Sequence, residues 1–432
     1  MLKPGADGTL RCSVDAADVR PFWGRAWGIF GATGVALYLV ATLAAFAAMR
    51  GIGYRVSYLA VAWPPAWQRI DEARADYFRR RAREAYAAKN FNEATLSLSL
   101  AYDLAPSDYA SGLLLAQLWQ TTQPVLSNRI YVRLLREHPA QWAVTAQAWF
   151  RALLARGDYP AVAQLSAEAL QRHPQQALAW AHALGFATQR TGDLAPLQSA
   201  LARSTSLPVS ARTVLELEKT VQTSPGAAAR SALAFSSGGE ERAVAFFRAR
   251  RLVALGFARE ALDVLDGLGS GPDERDALAV RLDAYARLGY TRPRTNLIAA
   301  LLRGPVTPAT VEVLGAHLIR YPSPSLYDEL FRKLERSPLA STPEAYPLFL
   351  TLFCVAGSYA DAGRLQTAAA AMSQALGSDS ATLNAVETFF LHKSAETRVE
   401  TYVPFLQPLS LEVTYALLER FAPREFRPTP AP

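Results

Sequence analysis

Residues 75–108, ADYFRRRAREAYAAKNFNEATLSLSLAYDLAPSD, read as two amphipathic helical stretches closed by Pro106. Proline stops a helix because it lacks the amide proton and restricts the residue before it. Further prolines at Pro139, Pro174 and Pro208 continue at steps of 33, 35 and 34 residues, each a few residues after an apolar helical stretch. A period of about 34 residues holding two helices predicts a stack in which each pair buries its apolar face against its neighbours only. Such a stack needs no single large core, which suits a chain of 432 residues better than two or three compact domains.

The residues inside each period carry a resemblance. The first repeat places Phe78, Ala82, Phe91, Ala94, Ala101 and Pro106 at large-aromatic, small, turn-aromatic, small, small and proline positions. The third, about 143–176, supplies Gly157, Tyr159, Ala169 and Pro174, and the fourth Gly185, Gly192 and Leu194. The second is looser, with Pro124 in place of the turn aromatic and Ser127 in place of the small alanine. This pattern resembles the tetratricopeptide repeat, and the resemblance implies an all-α, right-handed superhelical solenoid of paired antiparallel helices.

Beyond Pro208 the repeats drift. Ala211–Val221 and Ala227–Ala234 read as one pair, and Ser236–Gly239 as a break. A repeat with Ala249, Gly256, Ala261 and Leu265 follows, then one with Tyr285, Leu288 and Gly289. Pairs are expected at about 309–336, 343–376 and 380–420, with Gly357, Tyr359 and Ala362 in the turn pattern of the second. The expected domains are a regular half at 70–236, a divergent half at 241–422 and a disordered proline-rich tail at 423–432.

The resemblance also implies a partner-binding groove, because the family's inner helices line a concave face. The matching positions here are Arg79, Arg83 and Tyr86; Trp119 and Gln120; Gln147 and Arg151; and His182, Phe186, Gln189 and Arg190. Arginines and aromatics dominate binding hot spots, so other proteins or peptide segments are the expected partners. The carboxylate clamp of the family's chaperone-binding members is not matched. Its positions hold Arg79, Arg83, Leu113, Val144 and Ala148, of which only the arginines can hold a carboxylate.

Ahead of the repeats, Gly28 to Met49 carries no charge and lies between Arg25 and Arg50. About 20 apolar residues in a helix match the hydrocarbon core of a bilayer. Trp23 and Trp27 stand at one end, and Tyr54, Tyr58, Trp63 and Trp67 follow the other, as interfacial aromatics do. The expectation is a flexible tail at 1–26, a transmembrane helix at 27–49, and a link at 50–69 lying against the headgroups until a helix starts near Ile70. A cleaved signal at Ala45-Phe46-Ala47 fits less well, because signal cores run only about 7–15 residues and Asp7, Asp15 and Asp18 precede this one.

Arg11, Arg20 and Arg25 on one side balance Arg50, Arg55 and Arg69 on the other, so flanking charge does not orient the span. A short inner tail with an exported domain is the arrangement expected here, which places the solenoid on the periplasmic side of a bacterial-type inner membrane. Gly24, Gly28, Ala32 and Ala36, with Ala44 and Ala48 beyond, put small side chains on one face of the helix. Such a face admits a second helix closely, from another copy of the chain or from a partner.

The net charge is +7, carried almost wholly by arginine, with Lys3, Lys89, Lys219, Lys333 and Lys393 the only lysines. Only Arg79-Arg80-Arg81 with Arg83 forms a cluster, which reads as a solvated helix face, with attraction to lipid headgroups the next reading and nucleic acid the last, so nucleic acid is not an expected partner. No phosphate-binding loop, zinc helix or nucleophile elbow occurs, and Gly267, Gly269 and Gly271 fit a turn between repeats. His138 and His173 each precede a repeat proline, where an imidazolium faces the negative end of a helix dipole. His182, His317 and His392 show no metal spacing, and Cys12 with Cys354 makes no disulfide framework.

No cofactor, metal or catalytic residue is expected. The reading is a membrane-tethered interaction scaffold. An accessory subunit docking through its transmembrane helix is the alternative, and a helical enzyme acting on cell-wall or polysaccharide substrate comes third, lacking a paired carboxylate in the groove.

Overall fold

The computed structural model describes residues 2–4, 6–12, 22–88, 90–203, 207–224, 226–235, 241–268, 275–336, 340, 342–376, 381–391, 402–403, 406 and 408–421. Among the described residues there are twenty-two α-helices, one of them apolar and close to the N-terminus, and one pair of three-residue strands. By packing, the chain divides into residues 1–119 with 125–138 and residues 120–124 with 139–432. The break expected at Ser236–Gly239 and the tail from Pro423 lie outside the described residues.

In the first unit, β1 (Leu2–Pro4) and β2 (Leu10–Cys12) pair antiparallel, with Leu2 opposite Cys12. The sequence reading expects a flexible tail here. The turn accounts for the difference: Asp7 Oδ1 accepts from the Thr9 amide and hydroxyl at 3.3 and 2.8 Å, and Gly8 takes φ +73°. Helix α1 (Phe22–Ile52) starts before and ends after the expected 27–49, and its Ala26–Ile52 portion is long and apolar enough to cross a bilayer. Gly53, at φ +104°, turns the chain into α2 (Tyr58–Ala62), whose first turn is capped by Ser57 Oγ. Pro64-Pro65 ends α2, and α3 (Gln68–Ala87) starts two residues before the expected Ile70.

Helix α3 packs on α4 (Phe91–Leu104), which Asn90 caps by accepting from the Glu93 amide at 3.3 Å. Next come α5 (Tyr109–Thr122) and α6 (Pro124–Glu137). Small residues permit close crossings here. Ser127 is fully buried and donates to the Ala116 carbonyl at 2.7 Å, so it serves the small position that alanine fills elsewhere.

The second unit continues in pairs: α7 (Trp142–Ala155) with α8 (Tyr159–Arg172), α9 (Ala177–Thr191) with α10 (Ala195–Ala202), and α11 (Val209–Thr223) with α12 (Ala227–Ala234). They are followed by α13 (Arg242–Leu255) with α14 (Ala258–Asp266), α15 (Arg275–Arg287) with α16 (Thr291–Arg303), α17 (Pro308–Arg320) with α18 (Pro324–Arg336), and α19 (Tyr346–Ser358) with α20 (Ala362–Leu376). From α9 to α19, each first helix touches the first helix of the next pair. Helix α19 is the most enclosed, with every residue from Leu348 to Ser358 buried, the Cys354 thiol among them.

One turn recurs along the chain. An amide bonds the carbonyl five residues earlier at Asn90→Ala85 (2.8 Å), Asp158→Leu153 (3.0 Å), Phe257→Leu252 (2.8 Å), Tyr290→Tyr285 (2.9 Å) and Asp361→Ala356 (3.1 Å). The bond satisfies a carbonyl that the helix end would otherwise leave unpaired, and it needs a left-handed residue just before it. Gly157, Gly256 and Gly289 fill that place, and in the last turn Ala360 does, at φ +56°.

The sequence reading gives the last turn to Gly357. That glycine instead lies inside α19, where an added Cβ would stand 2.4 Å from the Phe390 ring on α21 (Ala381–Leu391). Left-handed backbone strains a residue with a Cβ, so Ala360→Gly is expected to raise stability by about 0.5–1 kcal/mol after the entropy that glycine gains on unfolding is subtracted. A rise in the urea midpoint at unchanged slope would register it, and no rise would mean that the turn is unstrained.

Of the pair expected at 380–420, α21 meets the last helix through Phe421, whose ring lies 6.1 and 5.9 Å from those of Phe389 and Phe390. Helix α22 (Leu411–Phe421) leaves the stack and lies along α17. The reason is its composition: Val413, Ala416, Leu417 and Leu418 are all inaccessible, more apolar surface than one neighbour at the end of a stack could cover.

Candidate functional site

The expected partner-binding residues fall into two sets. On α3, Arg79 bonds Asp76 and Asp108, Arg81 pairs with Glu93 at 2.8 Å, and Arg80 donates to the Gly53 carbonyl at 3.3 Å. Much of the basic cluster is therefore spent within the fold. Arg83 and Tyr86 face outward, Tyr86 at 56% exposure, and Trp119 on α5 is half-buried. Arg80 and Arg81 also wall an open hollow of about 470 Å³ with Gly53, Tyr77, Glu84 and Glu93. Its two carboxylates make it no simple anion site.

In the second unit Gln120 is buried, and its carbonyl accepts from Arg156 at 3.1 Å, so it offers nothing to a partner. Gln147 donates to Gln176 at 3.2 Å, and the Gln189 amide oxygen accepts from Arg251 at 3.2 Å. Two of the remaining residues, Arg151 and Phe186, meet the C-terminal segment. Arg151 donates to the Leu409 carbonyl at 3.4 Å, and Phe186 meets the Tyr415 ring edge-on at 4.6 Å, with the Arg190 guanidinium over its face at 5.2 Å. Further along, Arg250 pairs with Glu412 at 2.9 Å, Arg320 bonds Glu419 at 2.8 Å, and Arg420 donates to the carbonyls of Ile319 and Ser358 at 2.9 and 2.6 Å. These partners sit on α7, α9, α13, α17 and α19, all first helices of their pairs. In the second unit, the face that the resemblance assigns to an outside partner is thus already in contact with the C-terminal segment at Arg151 and Phe186.

Under α22 lies a charged cluster that sequence reading does not find. His317 Nδ1 and Asp283 Oδ1 are 2.6 Å apart, Arg294 Nε donates to His317 Nε2 at 2.9 Å, and Arg320 reaches Asp283 Oδ2 at 3.3 Å. Because Nε2 accepts, the ring proton is on Nδ1 and His317 is neutral. Both ring nitrogens are committed, so this imidazole has no lone pair for a substrate. Burial works against the Asp283 carboxylate, but His317 and Arg320 hold it below its ordinary range. Burial lowers the Arg320 guanidinium, and Glu419, Asp283 and Glu412 more than reverse that.

The other histidines among the described residues pack against aromatic rings. His173 stacks on Trp142 at 4.8 Å, and His138 meets Tyr109 edge-on at 5.4 Å, in equivalent places before their prolines. His182 stacks on Phe247 at 5.2 Å. More than a third of it stays accessible, yet protein crowds the ring, and that desolvation with the Arg250 charge pushes it down to about 4. Access of solvent to one edge limits the size of this effect; crowding fixes its direction.

His317 is pushed down mainly by burial, against the pull of Asp283. Both rings stay neutral in the fold while the unfolded chain takes protons near pH 6.5, so stability should fall as pH drops below 6.5. A further loss follows as pH falls through the depressed Asp283 value, below its ordinary 3.8. Urea midpoints of the full chain at pH 7 and 5 would show the first step, and His182→Phe, which keeps the stack, should make it smaller. An unchanged step would place its origin elsewhere.

Among the described residues no group of three His, Cys, Asp or Glu could hold a metal ion, and His392 lies outside them. Of the expected small-residue face, Gly28, Ala32 and Ala36 are exposed on α1, and a Cβ added at Gly28 would meet nothing within 4 Å. The surroundings of Gly24 lie outside the described residues. Compared with family models and with curated proteins, the sequence matches none.

Proposed function

We propose that the chain is a membrane-tethered scaffold whose tetratricopeptide-like solenoid gathers other proteins at a bacterial-type inner membrane. The observation that carries this reading is the joining, in one chain, of a bare apolar helix to a repeated helix-turn-helix unit. The helix is α1, and the turn returns at Asn90, Asp158, Phe257, Tyr290 and Asp361. Stacked helix pairs offer a long rigid surface, and tethering raises the local concentration of whatever binds it.

The binding surface that best fits this reading is on the first unit, where Arg83 and Tyr86 are exposed to solvent, because Arg151 and Phe186 meet the chain's own C-terminal segment. The helical part is proposed to stand outside the cytoplasm.

Two measurements test the proposal. The chain should stay with the membrane pellet through carbonate extraction at high pH, whereas release would end the tethering idea. Protease added to spheroplasts should digest a tag placed after Pro432, and protection until lysis would put the solenoid in the cytoplasm.

The exposed Gly28–Ala32–Ala36 face supports a second reading, docking or homodimerisation through α1. Gly28→Leu with Ala32→Leu should then abolish cross-linking between copies or to a partner. Retained cross-linking would return the contact to the solenoid.

A further inference from the structure

At about 1.5 Å per residue, the 31 residues of α1 make a rod some 46 Å long, well beyond a hydrocarbon core of about 30 Å. Part of it must stand outside the lipid. From Trp27 to Leu37 the helix is bare, with Ile29, Phe30, Val35 and Leu37 all exposed. From Thr42 onward one face is covered, and Ala45, Phe46 and Met49 pack on Val56, Val61, Ile70 and Ala73.

Hydrogen bonds fix how far down that cover reaches. Tyr38 donates to the Ala62 carbonyl at 2.6 Å, and the hydroxyls of Thr42 and Tyr58 are 3.1 Å apart. After Gly53 the chain therefore doubles back beside α1 as far as its middle. It then turns again, and α3 climbs in the direction of α1, with Ile70 and Ala73 beside Ala45 to Met49 and Tyr77 against Tyr54 at 5.0 Å.

This geometry sets charge against lipid. The first turns of α3 carry exposed Arg69, Asp71 and Glu72, with Arg74 paired to Asp71 at 3.2 Å, at the level of the last turns of α1. Sinking those turns in hydrocarbon would sink four charged side chains with them. Each costs several times what an exposed alanine such as Ala44, Ala47 or Ala48 costs in water. The charges win, and the lipid edge falls below them. At that edge stand Leu59, Trp63 and Trp67, exposed by 73%, 63% and 53%, of the residue types that favour the headgroup layer.

We infer that Leu59, Trp63 and Trp67 form a collar seated in the phospholipid interface, that the lipid-embedded span is Ala26–Thr42, and that Leu43–Ile52 is a stalk outside the hydrocarbon. The inference rests on reading α1 as membrane-spanning. The span holds 17 residues, the short end of the range that crosses a bilayer. The ten-residue stalk lifts Gly53 and the Arg80–Arg81 hollow about 15 Å from the lipid, so that cluster is not the headgroup contact.

Single cysteines at Val35, Ala48, Leu59 and Trp63, in the full chain with Cys12 and Cys354 replaced by alanine, would carry an environment-sensitive fluorophore in phosphatidylcholine vesicles brominated at defined acyl depths. Position 35 should lose its fluorescence to deep bromines and positions 59 and 63 to shallow ones, while position 48 is quenched only by aqueous iodide. Quenching at 48 by deep bromines as strongly as at 35 would overturn the stalk. Quenching at 59 and 63 by iodide alone would overturn the collar. If no bromolipid reaches position 35, the membrane reading of α1 fails, a result distinct from the other two.

Discussion

Arg320→Leu is expected to destabilise the second unit by about 3 kcal/mol, the cost of removing one member of a buried ionic group and leaving the others. Arg320 is 14% exposed and serves Asp283, Glu419 and the Glu412 carbonyl together. Without it, Asp283 keeps His317 but loses its cation, and Glu412 keeps only Arg250. The thermal midpoint of the full chain in detergent should drop by about 6–10 °C if the unit melts as one. Glu419→Gln provides the contrast. Its side chain is 46% exposed and can regain water, so its loss should stay under about 1 kcal/mol. Equal losses for the two variants would mean that Arg320 acts only as a surface charge.

What local sequence could show, and what it could not, follows from the distances involved. The proline steps and the turn glycines Gly157, Gly256 and Gly289 act within a few residues, so helix ends from Pro106 to Gly289 were legible. Ala360 was not, because alanine does not announce a left-handed residue, and Gly357 drew the turn assignment while its real work is to let α19 approach Phe390. The start of α3 near Ile70 was local and readable, although the link before it was not read as holding α2. The return of that segment to Tyr38 was not, since the hydrogen bond spans 24 residues.

The candidate site shows the same limit more severely. Arg151, Phe186 and Gln189 stand at positions a repeat pattern assigns to an inner face, yet what they meet is set by Leu409, Tyr415 and Arg251, outside the repeats that nominated them. Arg320 and Glu419 are 99 residues apart, so nothing in either segment alone marks them as partners.

Leu417→Asp is expected to have the largest effect of all, because it forces a carboxylate into a site with no accessible surface. Removing the leucine side chain alone should cost about 2–5 kcal/mol, and the unpaired charge adds to that. The outcome also decides what α22 is. A detachable cover would come away and leave α9 to α19 protected against hydrogen exchange. An integral staple would take that protection with it.

The contacts favour the staple. Val413, Ala416, Leu417 and Leu418 are inaccessible, and Arg420 donates to carbonyls at the C-terminal ends of both α17 and α19, which those helices cannot satisfy themselves. Hydrogen exchange of the variant should therefore rise in α17 and α19 as well as in α22. If only α22 exchanges faster, the face bearing Arg151 and Phe186 opens without cost to the stack, and outside partners compete with the chain's own C-terminus for it.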